Sequence, residues 1–244
     1  MNRFLLALQF LTLAPVKTRE CRDSDLATSL IFFPLVGLLL GLALWCFLST
    51  ILTLGLGSFA AVILTVVLLA GLTGAMHLDG LADTADGFFS GKPKDSILEI
   101  MRDPHTGSMG AAALICALLI KIALLSAVPA GSRGIALIVA CVCGRWPAVL
   151  SIWLFPYARK EGKASGYFSA MNGSILLAAG AIALACVLVA GSWKGIVVLA
   201  GASVFVIWMN LKIKQKIGGI TGDTLGAGIE LAEIFALLLS ALLF

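Results

Sequence analysis

Three carboxylates recur at helical spacing in His77-Leu-Asp79-Gly-Leu-Ala-Asp83-Thr-Ala-Asp86-Gly87. Asp79, Asp83 and Asp86 stand at i, i+4 and i+7, which a helix at about 100° per residue places on one face. Three like charges on one face repel unless a cation sits among them. Hard oxygen donors of this kind suit Mg²⁺ or Mn²⁺. The residues around the acids are Leu, Ala and Phe with no interleaved Lys, which argues against a merely solvated helix end.

A second acidic group closes the chain, in Gly218-Gly219-Ile-Thr221-Gly222-Asp223-Thr224-Leu-Gly226-Ala-Gly228-Ile-Glu230-Leu-Ala-Glu233. Asp223, Glu230 and Glu233 share a face if the segment is helical. Neither trio has a local counter-charge, so the two are expected to meet across one water-accessible cavity and hold the metal together. The glycines allow backbone N–H groups to approach an anion, as in phosphate-binding nests; close helix packing would demand them equally.

Cationic and aromatic residues surround these groups. Arg102, Asp103 and His105 adjoin a Pro-Gly turn in Arg102-Asp-Pro-His-Thr-Gly107. Lys121 and Arg145 lie inside apolar runs, where a charge costs at least ~2.5 kcal/mol. Arg145, two residues before Pro147, is read as reaching inward to a diphosphate, and Lys121 as snorkelling. Tyr157, Arg159, Lys160 and Lys163 form a basic rim, for which attraction to anionic lipid is an equal reading. His77 is placed behind the carboxylates, within reach of substrate.

These groups need a scaffold, and composition names its solvent. Hydrophobic residues make up 60% of the 244 and charged residues only 12%, too apolar a balance for a soluble domain. Apolar runs near the ~20 residues of a membrane span are Ser29–Leu54, Ser58–Met76, Met109–Val128, Ile135–Phe155, Ile175–Ala190, Gly195–Leu211 and Gly228–Phe244. The expected fold is all-α: a polytopic membrane helical bundle of about seven transmembrane helices in one domain, residues 1–244, with an N-terminal interfacial or re-entrant helix. Of the 17 Lys and Arg, thirteen fall in the N-terminal segment and the second, fourth and sixth connections; two fall in the others and two within helices. The positive-inside rule puts the rich side in the cytoplasm. The thirteen acids lie on or near that same side. Gly37 and Gly41 form a small-x-x-x-small pair suited to close helix contact. The six cysteines show neither C-x-x-C nor zinc-site spacing and read as small hydrophobes.

The two acidic motifs, Ile100-Met-Arg-Asp103 and His105-Thr-Gly107 together resemble the cobalamin synthase (adenosylcobinamide-GDP ribazoletransferase) family. So do Gln9-Phe-Leu-Thr-Leu-Ala-Pro15, Phe33-Pro-Leu-Val-Gly37, Gly144-Arg145-Trp146 and Tyr157-Ala-Arg159, in the right order along nearly the whole chain. The resemblance implies a Mg²⁺-dependent step in the bacterial inner membrane, facing the cytoplasm. In it the ribose hydroxyl of α-ribazole, or of its 5′-phosphate, attacks adenosylcobinamide-GDP and GMP leaves. On this reading Asp79, Asp83, Asp86, Asp223, Glu230 and Glu233 hold metal. Asp83 or Asp103 is the general base, and His77, Arg102, His105, Arg145, Arg159 and Thr221 bind substrate. The partners implied are the two substrates, the bilayer, a further copy of the chain and other cobamide-assembly enzymes, with no nucleic acid. The competing reading is a cation-coupled transporter, in which buried acids and Gly-rich helix ends bind the coupling ion. Against it, every acid lies toward one face. A third reading, an inert structural subunit, leaves the clustered like charges unexplained.

Overall fold

In lipid every backbone polar group must be satisfied within the protein, and this chain does so with helices. A computed structural model describes residues 3–15, 22–159, 162 and 164–244. Lys17, Arg19, Cys21, Lys160 and Lys163 lie outside the described residues. The elements are α1 (Arg3–Leu11), α2 (Asp23–Ser29), α3 (Phe33–Thr53), α4 (Ser58–Leu72), α5 (Met76–Phe89), α6 (Lys94–Ile100), α7 (Ser108–Ala127), α8 (Arg133–Leu154), α9 (Ser165–Ser169), α10 (Gly173–Ile217) and α11 (Gly222–Leu243). Short 3-10 turns precede α3 and α8.

Among the described residues, five helical stretches are long and apolar enough to cross a membrane: Asp23–Thr53, Ser108–Ala127, Ala130–Leu154, Gly173–Ile217 and Gly222–Leu243. A sixth is reached if α4 and α5, bent 87° to each other, count as one broken span. The expected count of seven is met only by dividing α10. Its 45 residues would run about 68 Å if straight, twice a hydrocarbon core of ~30 Å. It breaks at Ser192 (φ 54°, ψ −149°). Beyond the break Gly195 lies against the Val187 carbonyl, and Trp146 touches Gly180 while donating to Ser203 Oγ at 3.1 Å. Both contacts join residues on opposite sides of Ser192, so the halves double back on each other. At nine residues α1 is too short to span; Ala7 and Leu11 are buried.

α8 is the axis of the bundle, buried along most of its length and flanked by α3, α10 and α11. The expected role of Gly37 and Gly41 is what α3 needs here. A Cβ on Gly37 would stand 2.6 Å from the Cys141 carbonyl oxygen, and one on Gly41 2.5 Å from Ile138 Cα. Only glycine lets the two backbones come this close.

The connections segregate to two ends. At one, Arg133 donates to Ser58 Oγ (2.5 Å), Gly191 packs on Ile135 and Phe244, and Lys194 lies 5.3 Å from the Phe244 ring centroid. At the other, α1, α2, α5, α6 and α9 cluster around residues 155–159 and 218–222, where the described carboxylates other than Glu230 and Glu233 also lie.

Candidate active site

The site begins where α4 stops. Gly74 and Ala75 both take positive φ, and the chain turns through the 87° bend into α5. α5 then crosses α11 on small residues. A Cβ on Gly80 would sit 2.7 Å from the Asp223 carbonyl oxygen, and one on Gly226 3.3 Å from His77 backbone atoms. This crossing joins the two acidic motifs and brings Asp79 and Asp223 to one rim.

A third strand of chain completes the rim. The Ala158 N–H donates to the Ile220 carbonyl (2.8 Å), and the Ile220 N–H donates to that of Pro156 (2.9 Å). Arg159 Nη2 thereby lies 2.9 Å from Asp223 Oδ2, close enough for an ion pair though not aligned for a hydrogen bond. Two glycines of this stretch serve the backbone: Gly218 (φ 85°) ends α10 and Gly219 packs beneath the Pro156 carbonyl. Thr221, expected on the substrate, is fully buried. It caps α11 reciprocally with Thr224, through hydrogen bonds of 2.8 and 3.2 Å.

The rim opens onto a cavity of about 460 Å³. Asp79, Arg102, Tyr157, Arg159 and Asp223 supply its polar edge; Phe10, Phe33, Met76, Met101, Ile152 and Ile229 line its apolar part, with His77 among them. Arg102 and Arg159 also border an outer groove of about 770 Å³ that carries Lys94, Asp95 and Glu99. The arginines are thus shared between a wet groove and an apolar chamber.

Asp83 stands beside this rim. Burial, then the carboxylates of Asp79, Asp223 and Asp86, push its carboxyl up to about 7, with Arg159 opposing. Asp103 differs. It is exposed and accepts from the His105 backbone N–H at 2.9 Å, with the His105 ring at 2.6 Å. Those hydrogen bonds hold it below the usual carboxylate range. Neither Asp103 nor His105 lines the cavity. Asp86 turns elsewhere: its oxygens accept from the N–H groups of Gly107 (2.7 Å) and Gly110 (2.8 Å), capping the start of α7.

Glu230 and Glu233 do not share the rim. Seven and ten residues beyond Asp223, they sit about 10 and 15 Å further along the axis of α11. There Lys121 Nζ donates to Glu230 Oε2 (2.6 Å) and to Glu233. Arg145 Nη1 also donates to Glu233. Four buried charges from α7, α8 and α11 sum to zero. Lys121, read as snorkelling, and Arg145, read as reaching a diphosphate, are both engaged here; Arg145 Nε and Nη2 have no hydrogen-bond partner. His77 bridges the two regions, lining the cavity while sensing Arg145 and Glu233. Burial first, then Arg145, lowers it to about 3, so the imidazole is neutral.

Among the described residues, no group of three His, Cys, Asp or Glu side chains is placed to hold a metal ion. The rim nevertheless fits a divalent cation in kind. Asp79, Asp83 and Asp223 are hard oxygen donors, and after burial their mutual repulsion adds to the rise at Asp83. Sequence reasoning missed the cavity wall, Phe10, Phe33 and Met101, although all three lie in stretches that carry the family resemblance. It also missed the counter-ions of Glu230 and Glu233, although two cations stranded in apolar runs were the clue.

Fold and site together define an all-α, multi-span membrane protein with a carboxylate–arginine rim over an aromatic chamber. The model for the cobalamin-5-phosphate synthase family matches residues 3–241. The chain is 39% identical over 249 residues to an adenosylcobinamide-GDP ribazoletransferase of Pseudomonas savastanoi pv. phaseolicola, covering 100% of both chains. It is 38% identical over 235 residues to that of Desulforamulus reducens (96% of this chain, 94% of the relative). A further relative from Escherichia coli is 38% identical over 243 residues (96% and 97%). No solved structure matches. The chain belongs to the cobalamin-5-phosphate synthase, or adenosylcobinamide-GDP ribazoletransferase, family of transferases.

Proposed function

We propose that this chain joins α-ribazole, or its 5′-phosphate, to the cobinamide phosphate of adenosylcobinamide-GDP and releases GMP, at the cytoplasmic face of a bacterial inner membrane. The observation that carries this reading is the crossing of α5 and α11, which assembles the family's two acidic motifs with Arg159 into one rim. A ribose hydroxyl oxygen forms the new bond to the cobinamide-bearing phosphorus while the bond from that phosphorus to the GMP oxygen breaks. Asp83, with a carboxyl near neutrality, takes the hydroxyl proton. Arg102 and Arg159, on the edge shared by chamber and groove, position the diphosphate. Asp79 and Asp223, beside Asp83, would hold Mg²⁺ or Mn²⁺. Such an ion, when bound, neutralises the diphosphate and stabilises the leaving oxygen.

Against the transporter reading, the deepest acids are already neutralised by Lys121 and Arg145, which leaves a coupling cation no free carboxylate there. The test is GMP release by purified protein. Turnover is expected to require Mg²⁺ or Mn²⁺ and to stop with chelator. Asp83→Asn should lose at least about 100-fold, while Asp103→Asn stays near the parent. Near-native release by Asp83→Asn at several metal concentrations would assign the base elsewhere. Cation movement across sealed vesicles without GMP release would establish the transporter.

A further inference from the structure

The chamber has a composition that transfer of phosphate does not explain. Charged atoms can serve a diphosphate from the rim alone, yet behind them lies an apolar space with an aromatic wall. Phe10 and Phe33 are stacked, with centroids 5.6 Å apart and planes at 22°, and Tyr167 packs against both from 4.7 and 6.1 Å. Behind this apolar lining one enclosed polar atom stands out. His77 lines the chamber and is 3% exposed, and its Nε2 has no hydrogen-bond partner. A buried polar atom left unpaired carries a desolvation cost that a hydrogen bond would offset, which marks it as awaiting a partner. The volume, about 460 Å³, falls within the range that encloses a small organic ligand. It is too small to enclose a nucleoside together with a tetrapyrrole-derived macrocycle.

We infer that this chamber is the subsite for the heteroaromatic base of the acceptor nucleoside, which Phe10 and Phe33 flank and whose free ring nitrogen pairs with His77 Nε2. This assignment rests on the transferase reading above and says which substrate enters which space. A benzimidazole joined to ribose through one nitrogen presents the other as an acceptor, so His77 Nε2 donates. The ribose then lies at the rim, its hydroxyls beside Asp79 and Asp223, while cobinamide and guanosine stay outside on the groove bordered by Lys94, Arg102 and Arg159. In this arrangement His77 and Phe10 select the base and are not catalytic.

The experiment pairs a protein change with a substrate change. In full-length protein with Mg²⁺, His77→Phe is expected to raise KM for α-ribazole about tenfold and leave KM for adenosylcobinamide-GDP unchanged. Replacing the free ring nitrogen by CH, giving the indole analogue, should cost the parent a similar factor and His77→Phe nothing further. Phe10→Leu, a change on the short helix α1, should raise the α-ribazole KM alone. Equal rises in both KM values, or a His77→Phe protein that still discriminates against the indole analogue, would overturn the assignment. Direct binding of free benzimidazole to the purified protein separates this idea from the reaction. If the protein binds benzimidazole, weakens about tenfold with His77→Phe and yet never releases GMP, the chamber stands and the transferase reading falls. If GMP is released and neither variant changes use of the base, the reverse holds.

Discussion

Lys121→Met removes one cation from a buried, balanced set of four charges. Lys121, Arg145, Glu230 and Glu233 are 4%, 0%, 5% and 2% exposed at their side chains, so solvent screens none of them. Without Lys121 the set carries a net charge of −1, and Glu230 loses the cation that donates to it at 2.6 Å. Removing one member of a buried ion pair costs about 3–5 kcal/mol. For a chain of this length each kcal/mol shifts the melting midpoint by about 2–4 °C, so a fall of roughly 6–20 °C is expected. The measurement is the monodisperse fraction surviving graded heating in detergent. Glu230→Gln alone leaves the set at +1. The pair Lys121→Met/Glu230→Gln leaves only Arg145 with Glu233 and is balanced again. The double variant should therefore be more stable than Lys121→Met, with a coupling of at least ~1 kcal/mol. A Lys121→Met protein melting within about 1 °C of the parent would refute the network as a stabilising element, as would a double variant whose loss equals the sum of the two singles.

Gly80→Ala should lower GMP release and stability together, because its Cβ would meet the Asp223 backbone at 2.7 Å and force α5 away from α11. Such overpacking costs about 1–3 kcal/mol; Gly131→Ala, with no atom within 4 Å, is the silent control. On a background lacking native cysteines, Lys92→Cys should resist an impermeant external thiol reagent in intact cells while Gly131→Cys reacts. The opposite labelling pattern would invert the orientation.

Hydropathy made the helices legible, because in lipid an apolar run of sufficient length has few alternatives. The Gly37 and Gly41 contact was legible for the same reason: small residues four apart in an apolar helix have few uses other than close approach. What could not be read were the partners that arrive from distant parts of the chain. Asp86 shares a face with Asp79 and Asp83 by spacing, but its direction is set by Gly107 and Gly110 at the head of α7. Glu230 and Glu233 share a face with Asp223, yet the axial rise of α11 carries them away from the rim and toward Lys121 and Arg145. Facing was predictable from periodicity; depth required knowing where the helix meets the bilayer. Thr221 was more tractable, since a threonine three residues before Thr224 at a helix start is a capping pattern. The reversal of α10 at Ser192 sits between two apolar segments that hydropathy had separated, in Gly191-Ser-Trp-Lys-Gly195.

The balanced charges also bear on how the chain is made. α7 and α8 emerge from the ribosome before α11, and each must enter the bilayer with a cation whose partner has not yet been synthesised. On insertion scales each such residue costs about 2.5–3.5 kcal/mol at the helix centre, and α11 meets the same penalty for its carboxylates if it enters alone. The penalties are relieved together, when the last helix docks between Lys121 and Arg145. The helix α11 is thus a latch on biogenesis: a nascent chain interrupted before residue 222 holds two unpaired cations within the membrane and is chemically distinguishable from one in which α11 has docked.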